Sequence, residues 1–407
     1  MVFFAWFCAF LRCRRNRKVG VGGLEPPTSA SQTQRAAICA TPRRIEYNRT
    51  LQKQSRIKVI DDIITRRSFL KRSFASTASL SLWGIGLSSG RQPGAADGSG
   101  EKLGRVLVDA LPVYSMPYGE EIDEAFVFDD VFTYQSAATW KNPDNTRELW
   151  LELTEGGYVP AKHIQLVGYR LNEIQKKISR RGQLAEITVP ITEAISRKTN
   201  HTNNNKPQHF YYGSTHWVHG LGIDRDGNYF YRIVEDRWAD EYYIDPAHAH
   251  IFDDSEITMD EESAQTAVDK VIQIDLKSQF LVAKEDGRIV FSSVISSGYV
   301  DDELDLSTPT GDFEINYKRP SRHMVHTEEI GINDLELYGV PWVMYFDDLG
   351  NAIHGTYWHS DYGNRLSHGC VNLPIEGARW LYFWTQPAVP PREKKYVSRT
   401  GTRVEIR

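Results

Sequence analysis

Short alternating runs of apolar and polar positions dominate this chain, the pattern of strands with one buried face. Between residues 104 and 167 such runs fall at Val106-Leu107-Val108, 125–134, 149–153 and Tyr158-Val159-Pro160-Ala161-Lys162-His163-Ile164, with Pro112 and Pro117 marking turns. The order recurs from Glu186-Ile187-Thr188-Val189 through Thr215–Ile223 and Tyr229–Val234 to Tyr243-Ile244-Asp245-Pro246-Ala247-His248. Both stretches close on an aromatic–aliphatic pair followed by Pro-Ala and a histidine, which predicts one small β-module used twice. The segment 171–182 between them predicts a short helix with a basic face. Further on, 270–275 and 279–283 alternate, Gly287 turns the chain and 289–297 alternates again, a hairpin pattern. Strands are predicted at 312–317, 340–346, 352–355 and 402–406. A helix is predicted at 375–385, with Pro374 at its start and Ala378, Leu381, Tyr382 and Trp384 on its apolar face.

Composition fits this mainly β reading. The 407 residues are 41% hydrophobic with a net charge of −5, ordinary for globular material. The charge is unevenly spread: residues 1–100 hold 17 Lys+Arg against 5 Asp+Glu, leaving 31 against 48 for the remainder. An acidic globular part lacks the clustered cations that phosphate binding needs, so no nucleic-acid partner is expected.

The basic first hundred residues read as a targeting region. Thr65-Arg66-Arg67-Ser68-Phe69-Leu70-Lys71, followed by the apolar, serine-rich run 74–87, has the layout of a twin-arginine export signal. That run is shorter than the roughly 20 residues that span a bilayer as a helix. Residues 59–100 are therefore expected to be signal and linker, with membrane contact only through that signal, and the mature protein periplasmic, extracellular or in the cell wall. Residues 1–58 are expected to be a mis-assigned or disordered upstream extension, since no Met occurs between Met1 and Met116. The mass of the unprocessed precursor tests this: a species that includes Met1 would refute mis-assignment. Cys8, Cys13 and Cys39 precede the signal, which leaves Cys370 alone in the exported part. A lone thiol in an oxidising compartment suggests a chemical task.

That chemistry centres on His354-Gly355-Thr356-Tyr357-Trp358-His359 and Arg365-Leu366-Ser367-His368-Gly369-Cys370-Val371-Asn372-Leu373-Pro374. Glycine before the cysteine allows a sharp turn and close approach of a substrate. A neighbouring imidazole lowers a thiol pKa and gives a thiolate–imidazolium pair, and backbone amides around a Gly-Cys turn suit a developing oxyanion. Residue types alone leave three readings open: acyl transfer through a thioester, an inert buried cysteine, or a zinc site. Zinc is disfavoured because structural sites usually pair two or more cysteines. His216-x-x-His219 and His248-x-His250 read as strand or turn histidines rather than ligands, and no metal or other cofactor is expected.

Two resemblances sharpen this. The five-strand modules closing on Tyr-Val-Pro resemble bacterial Src-homology-3-like barrels, over 101–170 and 183–258. His354-Gly355 with Ser367-His368-Gly369-Cys370-x-Asn372, and Thr308-Pro309-Thr310-Gly311 upstream, resemble the L,D-transpeptidase (YkuD) catalytic domain, from about 268 to 407. The resemblance implies a β-sandwich with one or two short helices, Cys370 as nucleophile, and His354 as base, held by the Gly355 carbonyl. His368 and Gly369 would shape the nucleophile loop, with Gly369 and Cys370 amides as oxyanion donors. Ser367, Asn372, Arg365, Tyr357, Trp358, His323 and Met324 would meet substrate, and Arg319 and Arg322 are further candidate cations. The stretch 319–338 would be a lid. The implied partners are peptidoglycan stem peptides, as donor and acceptor of a 3→3 cross-link formed with release of terminal D-alanine; a carbapenem is expected to acylate the same thiol. Competing functions are an L,D-carboxypeptidase, a cysteine cell-wall endopeptidase and a non-catalytic wall-binding protein.

Overall fold

The computed structural model describes residues 101–198, 208–259, 269–300, 305–325 and 336–407. The export signal, the first three cysteines and most of the polar run 199–208 lie outside the described residues. The first module has seven strands: β1 (Lys102–Val106), β2 (Ala110–Tyr114), β3 (Glu121–Val127), β4 (Val131–Lys141), β5 (Arg147–Leu153), β6 (Tyr158–Pro160) and β7 (Ile164–Val167), in spatial order 3-2-6-5-4-1-7. The second has β8 (Gln183–Ile187), β9 (Ile191–Lys198), β10 (Gln208–Tyr211), β11 (Thr215–Ile223), β12 (Tyr229–Val234), β13 (Glu241–Ile244) and β14 (Ala249–Ile251), in order 10-9-13-12-11-8-14. Renumbered from its own first strand, the second order equals the first, so the repeat read from the sequence is a repeat of topology. Each module has seven strands rather than five, and neither closes into a barrel among the described residues.

The predicted helix at 171–182 is absent. Its apolar Ile174 and Ile178 have helical spacing, and both pack on the second module's core. The backbone amides, however, bond elsewhere: Asn172 N–H donates to Ala247 O at 2.8 Å and Gln175 N–H to the Tyr231 hydroxyl at 2.8 Å. The segment is an irregular strap held by the module it crosses.

The third unit is an eight-stranded sheet of β15 (Lys270–Asp275), β16 (Phe280–Glu285), β17 (Arg288–Val294), β18 (Gly311–Val325), β19 (Glu336–Tyr345), β20 (Ala352–Gly355), β21 (Val371–Leu373) and β22 (Tyr396–Ile406). Its order is 17-16-15-22-18-19-20-21, antiparallel except that β22 runs parallel to β15 and β21 parallel to β20. Helix α1 (Ile375–Trp384) follows β21 and buries Ile375, Ala378, Leu381, Tyr382 and Trp384, as its periodicity predicts. The ammonium of fully buried Lys318 donates to the carbonyls of Tyr382, Thr385 and Pro387, placing a cation at the negative end of the helix dipole.

The second module and this sheet share one core. Leu184, Trp217, Phe252 and Ile257 belong to the same buried cluster as Ile272, Trp342, Leu373 and Leu381. Trp342 is fully buried at φ +61°, a conformation bulky residues seldom adopt. It is packed by Phe252 of the second module and by Tyr382 and Phe383 of α1.

Candidate functional site

Parallel pairing of β20 with β21 builds the site. Ile353 stands opposite Val371, His354 opposite Asn372 and Gly355 opposite Leu373, so Cys370 enters one residue before the paired segment. The turn leading into it depends on Gly369, which sits at φ +111°; a Cβ there would lie 2.2 Å from Asn351 Oδ1. The loop is pinned from the hairpin side: Leu366 and Ser367 N–H both donate to Ser297 O at 3.0 Å, and Tyr299 N–H donates to Ser367 O at 3.1 Å. Ser367 Oγ in turn donates to the Cys370 carbonyl at 2.5 Å. Buried Thr308, from the Thr-Pro-x-Gly element, accepts the Gly298 N–H at 2.8 Å, so that element braces the loop. Gly355 meets a tight fit: a Cβ there would come 2.9 Å from Pro341 and 3.2 Å from the Ile375 backbone.

His354 is 2% exposed, and its Nδ1–H donates to the Gly355 carbonyl at 3.1 Å. A carbonyl only accepts, so the neutral ring carries its proton on Nδ1 and presents Nε2 as a base. Burial pushes the pKa down to about 4, against a smaller upward pull from that carbonyl. Cys370 is half-buried. Burial pushes its thiol up to about 11; the Ala352 amide opposes this and the Asp347 carboxylate adds to it. Both shifts run against the thiolate–imidazolium pair expected from the sequence. The thiol reaches Gly350 O at 4.0 Å.

His359, which the sequence reading left without a role, closes the other side. Its Nε2 lies 2.8 Å from Asn372 Nδ2, while His359 Nδ1, Asn372 Oδ1 and Thr356 Oγ1 are buried polar atoms without a protein partner. Burial, with His354 nearby, holds its pKa at about 4. Trp358 packs 5.6 Å from the His354 ring and shares an apolar cluster with Met324 and Cys370. His368 is exposed and its ring stands 5.5 Å from Tyr299.

Several expected substrate contacts have other partners. Tyr357 is buried: its hydroxyl donates to Tyr338 O at 2.7 Å and its ring stacks on Tyr211 of the second module. Arg319 and Arg322 both reach Asp236 at 2.7 Å, and His323, 1% exposed, meets Glu235 at 2.8 Å. Arg365 donates to Leu276 O at 3.2 Å. The expected lid is corrected in part, because 319–325 continues β18 against the second module and Tyr338 lies in β19; 326–335 lie outside the described residues. The turn Asp347–Asn351 was missed. Asp347 accepts from the amides of Leu349 and Asn351 and from the Asn351 side chain, and it sets Gly350 and Asn351 against Cys370 and Gly369. Its Asp-x-x-Gly-Asn sequence is an ordinary turn signal. Among the described residues, no three His, Cys, Asp or Glu side chains converge as a metal site.

Residues 269–406 match the family model of the L,D-transpeptidase catalytic domain, YkuD. The matched stretch is 138 of the 407 residues. It contains β15 to β22, the helix and every residue of the site just described. The putative L,D-transpeptidase YciB of Bacillus subtilis (strain 168) is 30% identical over 118 residues, 27% of this chain and 58% of the relative. The chain thus spans little more than half the length of that curated relative. The crystal structure of an L,D-transpeptidase (residues 123–326) from Xylanimonas cellulosilytica DSM 15894 is 30% identical, covering 35% of this chain and 62% of that one, with a TM-score of 0.25. The NMR structure of the catalytic domain of an E. faecium L,D-transpeptidase acylated by ertapenem is 27% identical, covering 35% of this chain and 99% of that one, with a TM-score of 0.26.

Proposed function

We propose that the protein is an exported peptidoglycan L,D-transpeptidase working through a Cys370 acyl-enzyme. The observation that carries this reading is the placement of Cys370, after a left-handed Gly369, at the head of the strand paired with the one bearing His354. Cys370 Sγ attacks the L-centre carbonyl of the third residue of a tetrapeptide stem as His354 Nε2 takes the thiol proton. Backbone amides at Gly369 and Cys370 receive the oxyanion. Collapse passes that proton to the departing amine of D-alanine and leaves a thioester. The side-chain amine of a neighbouring stem then attacks, the C–S bond breaks, the thiol is reprotonated and a 3→3 link remains. His368 and Ser367 order the loop, Asn372 and Trp358 line the wall, and Met324 backs it. The two upstream modules, Src-homology-3-like in our reading, position the enzyme on the wall after twin-arginine export.

The test is intact mass after incubation with ertapenem, beside Cys370→Ala. One adduct, absent from the variant, is expected, followed by cross-linked dimer from purified tetrapeptide stems. A folded wild-type chain that takes no adduct and makes no dimer would refute the reading.

A further inference from the structure

Arg105 is the least expected residue in the first module. It lies in β1, is 1% exposed, and each nitrogen of its guanidinium has a partner. Nη1 meets Asp129 at 2.7 Å, Nε and Nη2 meet Gln165 Oε1 at 3.0 and 2.9 Å, and the Tyr211 ring of the second module lies 4.0 Å away. Nη2 also reaches 252 residues along the chain to donate to the Tyr357 carbonyl at 2.6 Å. Asp129 is fixed in turn by the Tyr211 hydroxyl at 3.1 Å, and Gln165 Nε2 donates to Tyr212 O at 2.9 Å. Three units therefore meet on one buried cation.

The second tether makes the arrangement specific. Ser360 Oγ donates to Ile164 O, in β7 of the same first module, at 2.6 Å. The two bonds grip the chain at 357 and 360, and the residues between them are Trp358 and His359. Those are the residues that pack on the His354 ring and reach Asn372. A surface ion pair would be worth little, but a desolvated guanidinium with planar, multidentate contacts fixes geometry.

We propose that Arg105 is a positioning residue for the catalytic centre: the first module acts as a clamp that sets the Trp358–His359 wall against His354 and Asn372. The clamp deepens the transpeptidase reading and rests on it for its kinetic consequence. It adds a role for the first module that wall binding does not require. Misplacing a catalytic wall by about 1 Å is enough to cost on the order of 100-fold in rate.

The experiment uses the full chain with Arg105→Met, Arg105→Lys and Ser360→Ala. Folding is checked by circular dichroism and melting, Cys370 acylation by ertapenem is timed, alkylation by iodoacetamide serves as the control, and imidazole ¹⁵N signals report His359. Expected are acylation slowed at least tenfold in Arg105→Met and about threefold in Ser360→Ala, with partial rescue by Arg105→Lys. Alkylation should stay within twofold of wild type, because it needs the thiol and not the wall, and the His359 signals should move. Folded variants with wild-type acylation and unmoved His359 signals would overturn the proposal. If Arg105→Met fails to fold, Ser360→Ala decides by the same readouts. If ertapenem leaves the wild type unmodified, the transpeptidase reading fails by itself, and the His359 signals alone judge the clamp.

Discussion

The imidazole of His323 and the carboxylate of Glu235 meet at 2.8 Å across the boundary between the second module and the eight-stranded sheet, with side chains 1% and 4% exposed. Glu235 also accepts the amides of Arg237, Trp238 and Asp240. Burial alone would raise its pKa, but these bonds and the histidine outweigh burial and bring it down to about 2.

A carboxylate whose folded pKa lies below its unfolded value stabilises the fold above the unfolded pKa, and loses that contribution as pH falls through the folded one. Glu235 should therefore withdraw about 2–3 kcal/mol between roughly pH 4.5 and 2. Buried His216, His354 and His359, all pushed down mainly by burial, to about 3, 4 and 4, act in a higher window that overlaps this one through His216. Their neutral forms favour the fold, so stability falls as pH drops from about 6.5 towards 4. Glu235→Gln should shrink the loss below about pH 4.5 and leave the loss above it. Melting curves from pH 7 to 2 check this; unchanged curves in the variant would remove Glu235 from the account.

The resting protonation states give two pH profiles of different shape. Acylation of Cys370 by ertapenem should be nearly flat from pH 5 to 9 and fall only near 4, where His354 takes a proton. Iodoacetamide reacts with the thiolate, so its rate should still climb about tenfold per pH unit at pH 9–10, because the thiol lies near 11. Alkylation that levelled off by pH 8.5 would show that the thiol is already paired with an imidazolium.

Gly369→Ala meets two obstacles, φ +111° and the Asn351 side chain. It should cost about 1–3 kcal/mol of stability and slow acylation on the order of 100-fold. Adding Asn351→Gly removes the clash but not the backbone cost, so it should restore part of the rate. Timed acylation of both variants checks this, and wild-type kinetics in Gly369→Ala would count against a constrained turn.

How much of this could be read from the sequence depended on range. Strands such as Lys270–Asp275 and Ala352–Gly355 were legible at their boundaries, because alternation is a local consequence of one buried face. Helix α1 was legible from Pro374 and its apolar spacing. The turn into Cys370 was legible because a glycine ahead of the cysteine allows a sharp bend, and Gly369 takes φ +111° there. Illegible were the contacts in which charge is buried: Arg105 under Tyr357, Arg319 and Arg322 on Asp236, Lys318 beneath the helix. Hydropathy assigns such residues to the surface, and their partners lie tens to hundreds of positions away. The same limit explains why Arg319, Arg322 and His323 looked free to meet substrate, and why 171–182 looked helical when its amides were already taken by distant groups.

Strand β22 lies between β15, which it joins in parallel register at Ile272–Val404, and β18, which it joins antiparallel. The middle of this sheet is therefore made from the strand that comes after its other seven in the chain. Without it the hairpin β15–β17 and the strands β18–β21 are two separate stretches of sheet, held together through bonds such as Ser296 N–H to Asn372 O and Ser367 N–H to Ser297 O. The sheet is complete only once β22 is present, so a chain truncated before Tyr396 is expected to hold Cys370 on an unfinished sheet.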